Sequence, residues 1–164
     1  MKNIITRQVV KADNKPIAKL IRDVFDEYNA PYYGTVYSDP TTDDLYTLFQ
    51  TKHSVLWVAQ LENKILGCCG IYPTTGLPEN CAELAKFYVL KEARGKGVGK
   101  QLMQCCFHSA KEMGYKKLYI ESLPKFSQAV AMYEKYGFIR LDKPLGNSGH
   151  TSCNIWMLKE LNFL

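Results

Sequence analysis

The residues best suited to chemistry stand in one short run, Arg94-Gly95-Lys96-Gly97-Val98-Gly99-Lys100. Its three glycines and basic side chains lie between a strand-like and a helix-like segment. Glycine reaches backbone angles that other residues avoid and lets a ligand come close to the main chain. At a helix start the unpaired N–H groups and the positive end of the dipole attract anions. Arg94, Lys96 and Lys100 add formal charge, so the run suits a pyrophosphate. The P-loop pattern GxxxxGK[ST] is absent, because Gly99-Lys100 is followed by Gln101. A GxGxxG dinucleotide fingerprint needs another register and a place after the first strand. On these residues alone, a tight strand-to-helix turn with incidental charges stays open.

The elements that must position this turn can be read from periodicity. Residues 4–10 predict a short strand, and Asp13 a cap for a helix reaching Tyr28, with Ile17, Leu20, Ile21, Val24 and Phe25 at helical spacing. Residues 29–41 carry turn chemistry, and a short helix is expected over 42–50. SVLWVAQL, a turn at Glu62-Asn63, and KILGCCGIY predict a β-hairpin. AELAKFYVL follows as a third strand, then a helix over 97–113, the strand KLYIES, and a helix FSQAVAMYEKY ended by Gly137. FIRL and CNIWMLKEL close the chain as strands. Hairpins early and β-α-β order later predict one α/β domain over 1–164 with a mixed sheet.

Composition narrows the classes. The chain has 164 residues, 46% hydrophobic and 23% charged, which is ordinary for a globular protein. No apolar run reaches the roughly 20 residues of a membrane span, and the N-terminal stretch does not read as a signal peptide. Six cysteines show no CxxC pair and no metal-ligand spacing. The adjacent pair Cys68-Cys69 is expected on opposite faces of a strand. Buried, reduced thiols are therefore expected, with no metal site, in a cytoplasmic setting. The net charge of +5 is modest, and nothing resembles an RNA-binding aromatic stripe, so no nucleic-acid partner and no membrane partner is expected.

The segment from Glu83 to Met103 around the glycine run resembles the acetyl-CoA-binding motif of the GNAT N-acetyltransferases, [QR]xxGx[GA], at Arg94, Gly97 and Gly99. AVAMYEKYGF resembles the family's AxxLYEKxGF box at Ala129, Tyr133, Lys135, Gly137 and Phe138. Together the two motifs cover about residues 82 to 140. Where the family box often carries Asn, this chain has Phe126. The resemblance implies a mixed, mostly antiparallel central sheet flanked by about four helices. It implies an acetyl-CoA-dependent N-acetyltransferase acting on a small-molecule or peptide amine. A CoA-binding sensor or partner module on the same fold is the alternative. It further implies that amides from Gly95 to Lys100, Val98 included, hold the CoA pyrophosphate, and that Phe87, Tyr88 and Val89 pair with the pantetheine arm.

Acetyl transfer to an amine needs a neutral nucleophile, an oxyanion donor and a proton for the leaving thiolate. The resemblance assigns Tyr133 as the acid and a backbone N–H near Tyr88 or Val89 as the oxyanion donor. Glu83 is the leading base, on the strand flanking the cofactor. Glu121 ends the next strand and can reach the same cleft, and His150 lies in a Gly-bearing loop before the last strand. The loop from Tyr28 to Asp44 holds four tyrosines, Tyr33 among them, and three aspartates. It is expected to shape the acceptor pocket. Glu121, Tyr33 and His150 are thus the expected acceptor-binding residues. Exposed strand edges make a homodimer a further expectation.

Overall fold

The computed structural model describes residues 2–162 of the chain. Two alternating apolar runs joined by Glu62-Asn63, with Glu62 at φ 53°, form the hairpin of β2 (Val55–Leu61) and β3 (Lys64–Tyr72). β1 (Ile5–Gln8) pairs outside β2, and β4 (Cys81–Val89) pairs inside β3, all antiparallel. β5 (Lys117–Ser122) runs parallel to β4; β7 (Ile155–Glu160) and β6 (Ile139–Leu141) complete the order β1-β2-β3-β4-β5-β7-β6. The sheet is mixed and mostly antiparallel, as expected, because among the described residues only the β4–β5 neighbours are parallel.

Among the described residues, four α-helices cover the sheet. The side chains of Ile17, Ile21, Val24 and Phe25 on α1 (Asn14–Glu27) are buried in one cluster with Leu56, Val58 and Cys68, and Leu45 of α2 (Leu45–Leu48) joins them. On the other face, α3 (Val98–Glu112) buries Leu102, Met103 and Cys106 against Ala59, Cys69 and Leu118, and Tyr133 of α4 (Ser127–Lys135) shares that cluster. Cys68 and Cys69 fall in opposite clusters, as strand alternation requires. All six cysteines are free thiols. No helix among the described residues is long and apolar enough to cross a membrane.

Three local expectations need correction. The first strand and the helix after residue 42 are shorter than periodicity suggested. Asp13 does not cap α1 with its side chain. Its carboxylate instead accepts the Val10 N–H at 2.8 Å and pairs with Arg7 Nη1 and Nη2 at 2.8 and 2.9 Å, closing the short 3-10 turn before the helix.

Two irregularities of β4 open the cleft. Its register against β3 slips between Cys68 and Gly70, where Lys86 takes φ 58°, a left-handed conformation costly for a side-chain residue. The bulge reverses the alternation. Ala82 and Leu84 belong to the α3 face, yet beyond the bulge Phe87 and Val89 join that face and Tyr88 turns to α1. The second irregularity is that parallel pairing ends at Glu83↔Tyr119. β5 continues along β7 to Ser122, so the edge of β4 beyond Glu83 faces a gap instead of a strand.

Candidate active site

A cleft of about 550 Å³ occupies this gap, lined by β4 from Glu83 to Val89, the β4–α3 turn, α4, the end of β5, and the side of α1. Its two halves differ in chemistry. The half under the glycine turn is built of backbone. Gly95 and Gly97 take φ 73° and 81°, and a Cβ added at either meets nothing within 4 Å. That open face lets a ligand approach the main chain. Gly97 is the N-cap of α3 and supplies no side-chain cap. The first intrahelical bond runs from Gln101 N–H to the Gly97 carbonyl at 3.0 Å. The amides of Val98, Gly99 and Lys100 thus begin a 15-residue helix, at the positive end of its dipole. Gly99 is small for another reason: its Cβ would lie 3.1 Å from the Phe87 ring. These residues fit a pyrophosphate, and Phe87, Tyr88, Val89, Val98, Gly99 and Lys100 all line the cleft.

The basic residues of the turn divide. Arg94 is spent on the fold. Its Nη1 and Nη2 pair with both Glu27 oxygens at 2.6 and 2.8 Å, Nε and Nη2 donate to the Val89 carbonyl at 3.1 and 2.9 Å, and the guanidinium lies over the Tyr28 ring. It clamps the end of α1 to the turn, and its charge is committed before any ligand arrives. Lys96 is exposed and stands outside the lining, between Gly95 and Gly97, which line the cleft. Lys100 lines the cleft.

Tyr133 stands in the last turn of α4, which ends in a Schellman motif: Phe138 N–H bonds the Tyr133 carbonyl and Gly137 N–H the Glu134 carbonyl, both at 3.0 Å. Gly137 supplies the left-handed residue at φ 93° that this termination needs. The Tyr133 ring packs against Phe87 and Phe138 at 5.9 Å centroid separation, and the residue lines the cleft. Burial pushes its phenol far above the ordinary tyrosine range, so it remains a neutral hydrogen-bond donor.

The other half of the cleft holds charge. Glu83 is 7% exposed, and its Oε1 accepts the Thr74 hydroxyl at 3.0 Å. Burial drives its carboxyl from 4.5 up to about 7; Lys86 opposes that rise, Glu121 adds to it, and the Thr74 bond opposes it. A carboxyl poised near neutrality can accept a proton and later release it. Glu121 is held on both oxygens, by the Tyr119 hydroxyl at 2.7 Å and by the Ser148 hydroxyl. His150 lies in the same loop as Ser148, and its Nε2 meets Asp39 Oδ2 at 2.8 Å. Burial alone would raise the Asp39 carboxyl, but the bonds from His150 and Thr41 outweigh it and hold it down at about 2. Together these bonds tie the 29–44 loop and the loop before β7 to the end of β5.

Of the expected acceptor residues, Glu121 and His150 line the cleft and Tyr33 does not. Tyr33 is 86% exposed, its carbonyl bound by the Ser152 hydroxyl at 2.6 Å, and it leaves the site. Two residues of the site escaped sequence reasoning. Asp39 meets His150 only across 111 residues of chain. Lys86 was overlooked, although a lysine amid the apolar run ELAKFYV was a visible signal.

Comparison with known proteins agrees with this geometry. The sequence profile of the Acetyltransferase (GNAT) family matches residues 21–138. The chain is 37% identical over 158 residues to the uncharacterized N-acetyltransferase YjgM of Escherichia coli K12, spanning 96% of this chain and 95% of that protein. An acetyltransferase of the GNAT family from Staphylococcus aureus Mu50 superposes with a TM-score of 0.85 at 20% identity, over 98% of this chain and 100% of the other. The structure of yncA of Salmonella typhimurium with its cofactor acetyl-CoA superposes with a TM-score of 0.73 at 14% identity, over 97% of this chain and 94% of the other.

Proposed function

The chain belongs to the GNAT acetyltransferase family, and we propose that its cleft joins acetyl-CoA to an acceptor amine by direct transfer, with Glu83 as the base and Tyr133 as the acid. It is an N-acetyltransferase, and acetyl-CoA is its acetyl donor. The donor supplies an activated thioester carbonyl; the products are an amide and free CoA thiol. The observation that carries the reading is Glu83, a carboxyl raised to about 7 by burial, at the point where β4 and β5 part.

Each group has a task that its surroundings support. The amides of Gly97 to Lys100 hold the donor's pyrophosphate at the helix start. The unpaired edge of β4 beyond Glu83 offers backbone groups to an extended ligand arm, and an N–H near Tyr88 or Val89 can face the developing oxyanion. An alkylamine arrives mostly protonated at neutral pH. Glu83, ionised above about pH 7, accepts that proton through its second oxygen, since Oε1 is engaged by Thr74. Tyr133 donates toward the leaving sulfur. Its raised pKa makes it a hydrogen-bond donor first, with proton transfer following as charge accumulates. No cysteine is required, and the buried Cys68 and Cys69 thiols are pushed well above their ordinary range by desolvation.

The reading extends to one domain over 1–164, of which Met1, Phe163 and Leu164 lie outside the described residues. Free thiols, four of them buried, support a reducing cytoplasmic setting. A homodimer through the edge strands β1 and β6 belongs to the same proposal, with no nucleic-acid partner. The test is CoA thiol release from acetyl-CoA across a panel of amines, with the product identified by the mass increment of one acetyl group. Release matched by acetylated amine is expected. Thermal protection by acetyl-CoA with no release to any amine would overturn transfer and leave a CoA-binding module.

A further inference from the structure

Lys86 is used by none of the steps above, and its placement is costly. The residue is 8% exposed and lines the cleft. It makes no ion pair or side-chain hydrogen bond among the described residues, although Glu83 and Asp39 act on it through space. Its stem is buried while its ammonium opens on the cleft, since no fully buried side-chain nitrogen among the described residues is left without a partner; a largely desolvated ammonium with no paired charge is costly to hold. Its backbone adds to the cost, since φ 58° would suit glycine or asparagine better. The bulge alone therefore does not account for a lysine here, and its ammonium is what the position supplies.

The charges around it are unequally committed. Glu121 is bonded on both oxygens, by Tyr119 and Ser148. Asp39 is bonded by His150 and by Thr41, whose N–H and hydroxyl reach Oδ1 at 2.9 and 2.7 Å. Among the charged groups described in this half of the cleft, those left without a bond are one oxygen of Glu83 and the ammonium of Lys86. One accepts a proton from an amine, and the other calls for an anion. Resting on the proposed transfer reaction, we infer that Lys86 is the counter-ion for a carboxylate on the acceptor, so that the acceptor is an α-amino acid or an amine with the same paired carboxylate. Burial lowers the lysine's pKa in the free protein, while Glu83 and Asp39 pull it upward. A bound carboxylate adds a third attraction and restores the charge.

The experiment uses acetyl-CoA with matched acceptors: phenylalanine, leucine and methionine, the amide of each at its α-carboxyl, and the decarboxylated amine of each. The full chain is compared with Lys86→Met and Lys86→Arg. The amides are the weaker bases and carry more neutral nitrogen, so intrinsic reactivity favours them. The inference predicts the reverse for wild type, with at least one acid exceeding its amide in kcat/KM by tenfold or more. Lys86→Met is expected to raise KM for that acid by about 10- to 100-fold, the range of a charge-assisted hydrogen bond. It should leave the amide within about twofold, and Lys86→Arg should recover part of the loss. Equal use of acid and amide by wild type, or an equal loss for both in Lys86→Met, overturns it. If Lys86→Met fails to fold, the wild-type ratio still decides. Transfer only to amines without a carboxylate overturns the inference and leaves the acetyltransferase reading intact. No thiol release to any amine overturns both.

Discussion

Replacing Glu83 by glutamine separates what the carboxylate does for catalysis from what it costs the fold. The residue is 7% exposed, and burial moves its carboxyl from 4.5 to about 7. A displacement of that size corresponds to about 3 kcal/mol between the two protonation states. The sign follows from linkage. The native state binds the proton more tightly than the unfolded chain does, so at and below the unfolded value of 4.5 the charge costs nothing. As pH rises from there to about 7, stability is lost, and above 7 the whole deficit is present. Glutamine copies the neutral acid and can still accept the Thr74 hydroxyl. Glu83→Gln should therefore match wild type near pH 4.5 and exceed it by up to about 3 kcal/mol at pH 8.5. Over the same pH range kcat should fall by about 10²- to 10⁴-fold, the usual worth of a positioned base. Urea unfolding at the two pH values, with thiol-release kinetics on the same samples, checks both halves. A variant less stable than wild type at pH 8.5 would mean that the fold holds the carboxylate ionised. Unchanged kcat would move the base elsewhere.

Three further outcomes follow from the same geometry. Tyr133→Phe keeps the ring contacts with Phe87 and Phe138 and should lower kcat by about 10²-fold or more with acetyl-CoA affinity unchanged; titration of acetyl-CoA binding beside turnover checks it. Gly97→Ala forces a side-chain residue to φ 81° and puts a methyl where the main chain is open, so stability should fall by about 1–2 kcal/mol and KM for acetyl-CoA should rise. Arg94→Lys cannot reproduce the bidentate pair with Glu27 together with the Val89 carbonyl contacts; a lowered Tm is expected even without ligand, which would distinguish a structural clamp from a phosphate contact.

The readability of this chain follows the range of the forces involved. The β2–β3 hairpin, α3 and the Gly137 stop were legible because turn residues and apolar period are local signals. The glycine turn was legible for the same reason. The face switch in β4 was not, because the bulge at Lys86 arises from the register against β3, which the sequence of β4 alone does not carry. Alternation read through LAKFYV puts Lys86 beside Leu84, whereas the fold turns it toward Glu83 and Asp39. Arg94 was read as a free charge because Glu27 lies 67 residues away. Tyr33 was drawn into the site by the composition of its loop, and the loop instead turns that ring to solvent and Asp39 inward.

The most direct test of the account is the pH dependence of kcat/KM measured with a series of acceptor amines of graded basicity. A rising limb with its midpoint near 7, shared by acceptors of different amine pKa and abolished in Glu83→Gln, is the predicted result. A limb that tracks the acceptor's pKa and survives in Glu83→Gln would contradict the assignment of Glu83 as the base.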